Sequence, residues 1–259
     1  MRKLNAGIVL TLQDNPRLAL LSYLSNAPQR IGFVDNNFRK LFYTKPINPD
    51  NSKHRVDYYL DIAKSMNNIK SIKDNGLKLN ITDKEKKWAS LVLNKNNINS
   101  GKKLVGLHIG GTWQTKRWPI KKFAKLADKL TENGFKVIIL GGPGDVEDSL
   151  KLENYMNNYV TNLAGKTSLL QLAGLLDNLN LFISGDTGPL HMAVARNIRS
   201  LAIFGPTEVW RYRPYGKKHE VVKLDLDCQP CHKKICPFNW ECMRNLKVEN
   251  VFQKSLNML

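Results

Sequence analysis

The residues best suited to chemistry lie in a glycine-containing turn, Ser184-Gly185-Asp186-Thr187-Gly188-Pro189-Leu190-His191. Gly188 can expose backbone N–H groups, and a helix that begins near Pro189 directs its positive end toward any anion in front of it. The hydroxyl of Thr187 can donate to the same anion. His191, one turn into that helix, either faces the anion or is a packing histidine bonded to a backbone carbonyl. The turn therefore predicts a phosphate-binding site.

An earlier loop, Gly110-Gly111-Thr112-Trp113-Gln114-Thr115-Lys116-Arg117-Trp118-Pro119, has a similar character. Its glycine backbone permits close approach of a ligand, and Lys116, just before a predicted helix, can neutralise a phosphate. A lone lysine is usually a solvated surface residue. The prediction for Lys116 therefore depends on its coincidence with the other loops.

A third loop spans residues 141–147 and has the glycines of a nucleotide-binding turn. It lacks the G-x-G-x-x-G dinucleotide fingerprint, which disfavours a dehydrogenase. Asp145 or Glu147 can accept hydrogen bonds from ribose hydroxyls, or either can be a simple helix cap.

The elements that must position these loops alternate between strand and helix. Apolar runs predict strands over 104–109, 136–140, 179–184 and 201–204, and helical spacing predicts helices that begin at Pro119, at Thr167 or Ser168, and at Leu190. This alternation is typical of a parallel α/β sheet, in which ligands bind at the carboxyl ends of the strands. The three loops follow three of these strands.

The first hundred residues give a less regular pattern. It predicts a strand over 7–12, helices over 17–25 and 56–66, and a polar run over 67–100. A domain junction near 90–102 divides the chain into domains 1–100 and 101–259, the second of which ends in a cysteine-rich loop and a helix.

All four cysteines, Cys228, Cys231, Cys236 and Cys242, lie in one short segment. The sequence shows no export signal, so disulfides are not expected. The thiols could form a tetrahedral structural zinc site, with His232 as a spare ligand. Reduced free thiols are the alternative.

The chain has 40 Lys and Arg against 22 Asp and Glu, a formal charge of +18. Such a charge attracts phosphate-rich partners of any kind. The lysines lack the interleaved aromatic residues of a base-stacking surface, so nucleic acid is not the expected partner. No apolar run is long enough to span a bilayer, and we expect a cytoplasmic protein.

Motifs along the chain resemble glycosyltransferase family nine, the lipopolysaccharide heptosyltransferases. Five occur in the family's order: Lys116-Arg117-Trp118-Pro119, Gly141-Gly142-Pro143-Gly144-Asp145, Asn162-Leu163-Ala164-Gly165-Lys166-Thr167-Ser168-Leu169, the Ser184 to His191 turn, and Phe204-Gly205-Pro206-Thr207. The Asp-Thr-Gly-x-x-His element in that turn is the most specific. Segments 28–33 and 56–60 also resemble the family's acceptor domain.

The resemblance implies a GT-B fold of two Rossmann-like α/β domains with parallel sheets, the first incomplete. It implies transfer of heptose from ADP-heptose to the inner core of lipopolysaccharide, inverting and without a catalytic metal. The acceptor would be a lipid A-core at the inner membrane face, where the enzyme would be a peripheral monomer.

The resemblance also assigns residues. Lys116 would hold the donor diphosphate, Thr112 would line its pocket and Thr167 would lie near the adenine. The sugar and phosphates would be held by Asp186, Thr187, Gly188 and His191. The family's ribose-binding acidic residue aligns loosely, at Asp145 or Glu147.

The catalytic base has no clear counterpart. In the family it comes from a loop after the first strand of the acceptor domain, and Met1 falls just before what resembles a later strand. Asp14, in a loop that matches the family poorly, is the candidate that remains. The alternative function is a truncated, catalytically silent sugar-nucleotide-binding protein.

Overall fold

The computed structural model describes residues 5–66, 76–98 and 101–259. It divides the chain into two compact units, Met1–Asn75 and Gly76–Leu259. Each unit contains a sheet whose described strand pairs are all parallel. The predicted α/β class is therefore confirmed.

The first unit is built on a three-stranded sheet of order β1-β2-β3. Its elements are β1 (Ile8–Thr11), α1 (Pro16–Leu24), β2 (Gln29–Phe33), α2 (Asn37–Lys40), β3 (Lys45–Ile47) and α3 (Arg55–Lys64). Phe33 of the central strand stacks on Tyr58 of α3, with ring centroids 3.9 Å apart. Ile31 and Ile62 complete this small core, which attaches α3 to the sheet.

The second unit contains a six-stranded sheet of order β6-β5-β4-β7-β8-β9. Its strands are β4 (Leu104–His108), β5 (Lys136–Leu140), β6 (Thr161–Asn162), β7 (Leu181–Gly185), β8 (Ser200–Ile203) and β9 (Glu220–Val222). Its helices are α4 (Asp83–Lys95), α5 (Ile120–Glu132), α6 (Val146–Asn154), α7 (Leu169–Leu176), α8 (Gly188–Ala195), α9 (Val209–Tyr212), α10 (Glu241–Arg244) and α11 (Val248–Met258).

The strands β4, β7 and β8 are buried along their whole length, as expected for parallel strands covered on both faces. The predicted helical spacing is confirmed in α5, where Phe123, Leu126, Ala127 and Leu130 are all buried. The sequence leaves Thr167 or Ser168 as the N-cap residue of α7. The structure shows that it is Ser168, which forms a capping box with Gln171.

The unit boundary differs from the sequence prediction. It lies at residues 75 and 76, before the predicted junction, because α4 belongs to the second unit. Ala89 and Leu93 of α4 share a core cluster with Leu172 and Leu175 of α7. Part of the predicted polar run, residues 67–75 and 99–100, lies outside the described residues.

The sheet order creates the place where a ligand can bind. β4 pairs with β5 on one side and with β7 on the other, so the chain changes direction across the sheet at β4. At such a point the loops from the carboxyl ends of adjacent strands diverge and leave a crevice. The loops after β4, β5 and β7 are the three that the sequence singles out. Within the described ranges, no helix is both long and apolar enough to cross a membrane.

Candidate functional site

A cavity of about 540 Å³ opens at the carboxyl ends of β4, β5 and β7. Residues of all three glycine-containing loops line it, together with the beginning of α7. Five of the sequence-predicted site residues are in its lining: Thr112, Asp145, Thr167, Thr187 and Gly188. The structure therefore brings together three loops that are far apart in the sequence.

The turn after β7 delivers the amino end of α8 to this cavity. Thr187 is the N-cap residue of α8, and its side chain makes no capping hydrogen bond to the helix. Gly188 and Pro189 begin the helix and line the cavity. The first backbone N–H groups of α8 and the hydroxyl of Thr187 are thus suited to an anion.

Lys116 and Asp186 form a largely buried ion pair beside this helix terminus. The Nζ atom of Lys116 lies 2.7 Å from Oδ2 of Asp186, and the Asp186 side chain is only 8% exposed. Thr207, which follows β8, donates to the same carboxylate oxygen at 2.8 Å. Nε2 of His191 lies 3.9 Å from the other oxygen, Oδ1. Lys116, Asp186 and His191 are therefore assembled as one polar cluster.

The structure separates the two carboxylates predicted for ribose binding. Asp145 is buried in the cavity wall, where Oδ2 accepts from the backbone N–H of Gly142 at 2.8 Å. Glu147 has an 81% exposed side chain that pairs with Lys151, and this hydrogen bond lowers the pKa of Glu147. Ribose binding by either residue stays a prediction, but only Asp145 lines the cavity.

Arg117 also lines the cavity, although the sequence motifs assign it no role. Its Nη2 lies 3.3 Å from Oδ1 of Asp145, its Nη1 lies 2.9 Å from Oδ2 of Asp148, and its Nε donates to the carbonyl of Gly111. These bonds join the loop after β4 to the loop after β5. The signal was present in the sequence, since Arg117 immediately follows Lys116.

Two buried polar residues at the ends of β4 and β7, His108 and Ser184, have no role assigned from the sequence. His108 is 6% exposed, and burial lowers the pKa of its ring to about 4, so the ring is neutral at pH 7. Its Nδ1 lies 3.3 Å from Oγ of Ser184, which in turn lies 2.9 Å from Oγ1 of Thr187. A row of polar contacts between uncharged side chains therefore runs from His108 through Ser184 to the hydroxyl of Thr187. A histidine and a serine within otherwise apolar strands were the available signal.

The four cysteines line a single small void of about 10 Å³ between their loop and Thr115. Cys242 is buried, and burial raises the pKa of its thiol to about 11. Among the residues that the structure describes, no three His, Cys, Asp or Glu side chains are arranged to hold a metal ion. The predicted zinc site, with Cys228, Cys231, Cys236 and Cys242 as ligands, stays a prediction.

Asp14 lies in the first unit, three residues after the end of β1. Burial raises the pKa of its carboxyl, but hydrogen bonds with Asp35 and Arg39 outweigh this effect and hold that pKa below its usual value. The Nη2 atom of Arg39 is 2.7 Å from Oδ2 of Asp14. A carboxylate with a lowered pKa is a weaker base, which is unfavourable for the catalytic role considered for Asp14.

Comparison with known proteins agrees with this architecture. Residues 1–241 match the model of glycosyltransferase family 9 (heptosyltransferase). A lipooligosaccharide heptosyltransferase 2 of Campylobacter jejuni is 35% identical over 62% of this chain and 53% of its own. The chain thus spans about half the length of that relative.

Solved structures also resemble the fold of this chain. A family 9 glycosyltransferase from Veillonella parvula superposes with a TM-score of 0.84 at 25% identity, over 98% of this chain and 74% of its own. The Escherichia coli heptosyltransferase WaaC, solved with ADP, gives a TM-score of 0.72 at 19% identity, over 98% of this chain and 73% of its own. These neighbours have the GT-B fold that the sequence predicts. The chain belongs to glycosyltransferase family 9, the heptosyltransferase family.

Proposed function

We propose that this chain binds ADP-heptose and transfers the heptose to the inner core of lipopolysaccharide, with inversion and without a catalytic metal. One observation carries the proposal. Lys116 pairs with Asp186, which directly precedes the N-cap residue of α8, and the amino end of α8 lines the cavity formed after β4, β5 and β7. A cation and a helix amino end at one crevice are suited to a diphosphate. The WaaC neighbour was solved with ADP.

The proposed donor contacts come from the lining of the cavity and from the polar cluster of Lys116, Asp186 and His191, which is outside that lining. Lys116 would neutralise the diphosphate, and Thr187 and Gly188 would donate to it. Asp186 and His191 would hold the sugar. Thr112 and Thr167 lie in the cavity wall, which supports their roles beside the donor and the adenine. Of the two acidic residues we favour Asp145 for the ribose, because Glu147 is outside the lining.

The charges of the cluster suit glycosyl transfer. Displacement at the anomeric carbon leaves negative charge on the departing diphosphate, and a fixed cation with a helix amino end stabilises that charge. Asp186 holds the ammonium of Lys116 in place before the donor binds. The donor diphosphate would therefore meet a preorganised cation and would not have to order a flexible lysine.

The acceptor hydroxyl needs a general base, which typically contributes roughly 10² to 10⁴ in rate. Asp14 is the candidate in the described part of the first unit, although its ion pair with Arg39 weakens it as a base. A second candidate function is therefore donor binding without transfer. It is favoured by the Arg39 ion pair, which lowers the pKa of the Asp14 carboxyl and so its strength as a base.

The acceptor is proposed to be a phosphorylated lipid A-core at the inner membrane face. The charge of +18 supports this, since anionic lipid and phosphorylated glycan both attract a basic protein. We propose that the chain acts there as a peripheral monomer and does not bind nucleic acid.

A transfer assay tests the enzyme function directly. The chain is incubated with ADP-heptose and heptose-deficient core lipid, and the glycolipid product is measured by mass spectrometry. Product that depends on Lys116 supports the main proposal. Binding of ADP-heptose without product supports the donor-binding alternative. If the wild type forms product and Asp14 is the base, Asp14→Asn should lower the transfer rate at least a hundredfold.

A further inference from the structure

Two separate turns supply the groups that hold the carboxylate of Asp186. Lys116 comes from the 3₁₀ turn Gln114–Lys116 after β4, and Thr207 comes from the loop after β8. Both donate to the same atom, Oδ2 of Asp186. Both turns also contact one segment, residues 228–242, which we call the cysteine-rich loop.

The cysteine-rich loop is tied to the Lys116 turn through Thr115. The hydroxyl of Thr115 donates to the carbonyl of Lys233 at 2.8 Å, and Thr115 is only 2% exposed. The next residue, Lys234, places its Nζ atom 5.4 Å from the ring centre of Trp113. Nζ of Lys116 lies 4.8 Å from the centre of the same ring. The cysteine-rich loop therefore contacts both Trp113 and Thr115, the two neighbours of Gln114.

The same loop is tied to the turn of Thr207. Nε2 of Gln229 donates to the carbonyl of Gly205 at 2.6 Å. The backbone N–H groups of Cys231 and His232 both donate to the carbonyl of Pro206, at 3.0 and 2.9 Å. Each carbonyl is one or two residues before Thr207, which is 5% exposed. The loop thus fixes the backbone beneath the second donor to Asp186.

We propose that Thr115 is a positioning residue for donor binding: by bonding the Lys116 turn to the cysteine-rich loop, it fixes the Lys116 ammonium where the donor diphosphate meets it. This inference rests on the proposed function of the Lys116–Asp186 cluster. The hydroxyl of Thr115 donates to the carbonyl of Lys233, and Thr115 is not among the residues that line the cavity. Its effect on a ligand must therefore pass through Lys116.

The test is calorimetric titration of the full chain with ADP. Thr115→Val removes the hydroxyl at nearly constant volume and should weaken ADP binding about fivefold, as expected for loss of one buried hydrogen bond. Thr115→Ser should restore the affinity. Thr131→Val is the matched control, because the Thr131 hydroxyl also bonds a backbone carbonyl, that of Ala127 in α5. It should leave ADP binding unchanged.

A double-mutant cycle separates positioning from a general structural effect. In a Lys116→Ala background, Thr115→Val should change ADP affinity by less than about twofold, since the group it positions is gone. An equal loss in both backgrounds would overturn the inference. So would unchanged affinity in Thr115→Val while Lys116→Ala binds weakly, and in that case the proposed function would stand.

A second cycle decides the inference if the wild-type chain does not bind ADP, an outcome that contradicts the proposed function. Urea unfolding is measured for Thr115→Val, Asp186→Asn and the double variant. If Thr115 positions Lys116 against Asp186, the loss of stability in Thr115→Val shrinks to about half or less once Asp186 is changed. Additive losses would overturn the inference on their own.

Discussion

Nζ of Lys116 lies 2.7 Å from Oδ2 of Asp186, and both side chains are mostly buried. The two residues are on loops that follow adjacent parallel strands, β4 and β7. Their pairing fixes a cation at the carboxyl edge of the sheet, where ligands of such folds bind.

Replacement of Asp186 by Asn should destabilise the protein. The variant leaves the Lys116 ammonium largely buried without its counter-charge, which should cost about 1.5 to 3 kcal/mol in the free energy of unfolding. Urea unfolding at pH 7 measures this. Asp83→Asn is the control, because the Asp83 side chain is 83% exposed and its ion pair with Lys86 should contribute little. Similar small effects in both variants would contradict the structural role of the Lys116–Asp186 pair.

Gly110 should not tolerate a side chain. A Cβ atom at Gly110 would lie 2.3 Å from Oδ2 of Asp145, whereas one at Gly144 would meet nothing within 4 Å. Asp145 is buried and held by Gly142 and Arg117, so it cannot move away freely. We expect Gly110→Ala to lose about 1 to 3 kcal/mol of stability and Gly144→Ala to lose clearly less. Thermal unfolding of both variants checks this, and equal unfolding temperatures would contradict the packing around Asp145.

His108 should make the protein less stable in mild acid. Its pKa is about 4 in the folded protein, against an ordinary value of 6.5. Between these values the unfolded chain binds more protons, so stability is complete above pH 6.5 and falls as the pH drops toward 4. The loss from this group is about 3 kcal/mol between pH 7 and pH 4.

His108→Asn should remove this part of the pH dependence. Burial also lowers the pKa of His219 to about 4, but His219 is present in both proteins, so the difference in slope isolates His108. The measurement is the free energy of unfolding of the wild type and the variant at several pH values from 4 to 7. Parallel curves would show that His108 titrates normally.

Metal analysis and thiol titration test the zinc site predicted in the cysteine-rich loop. If zinc is bound, elemental analysis of protein purified without chelators should find about one zinc per chain. Four titratable thiols and no metal would exclude the zinc site. In that case the exposed Cys228 should react fastest with a thiol reagent, and Cys242 slowest, because burial raises the Cys242 pKa to about 11.

The strands and helices that carry the site could be predicted from local patterns. The run that predicts a strand over 136–140 forms β5 with the same bounds, and the helix predicted from Pro119 begins at Ile120. Strong apolar periodicity and glycine turns were sufficient there. α4 was missed because its surroundings are polar, although Thr82 and Glu85 have the spacing of a capping box and form one.

Contacts across the sheet could not be predicted in the same way. Asp186 contacts Lys116 and Thr207 because β7 lies between β4 and β8 in the sheet. No local sequence pattern specifies this strand order. The chain from His108 through Ser184 to Thr187 depends on the same order. The sequence motifs identified the loops, whereas tertiary structure determined which side chains meet.

The proposed function requires Lys116 to bind the diphosphate of ADP-heptose, and calorimetric titration with ADP-heptose measures that contact. The wild type is compared with Lys116→Ala and with Lys125→Ala, a control that removes the same charge from an exposed position on α5. Loss of a charge-assisted contact should weaken binding about ten- to a hundredfold in Lys116→Ala and leave Lys125→Ala within about twofold of the wild type. Equal affinity of all three proteins, or no binding by the wild type, would show that Lys116 does not bind the donor diphosphate.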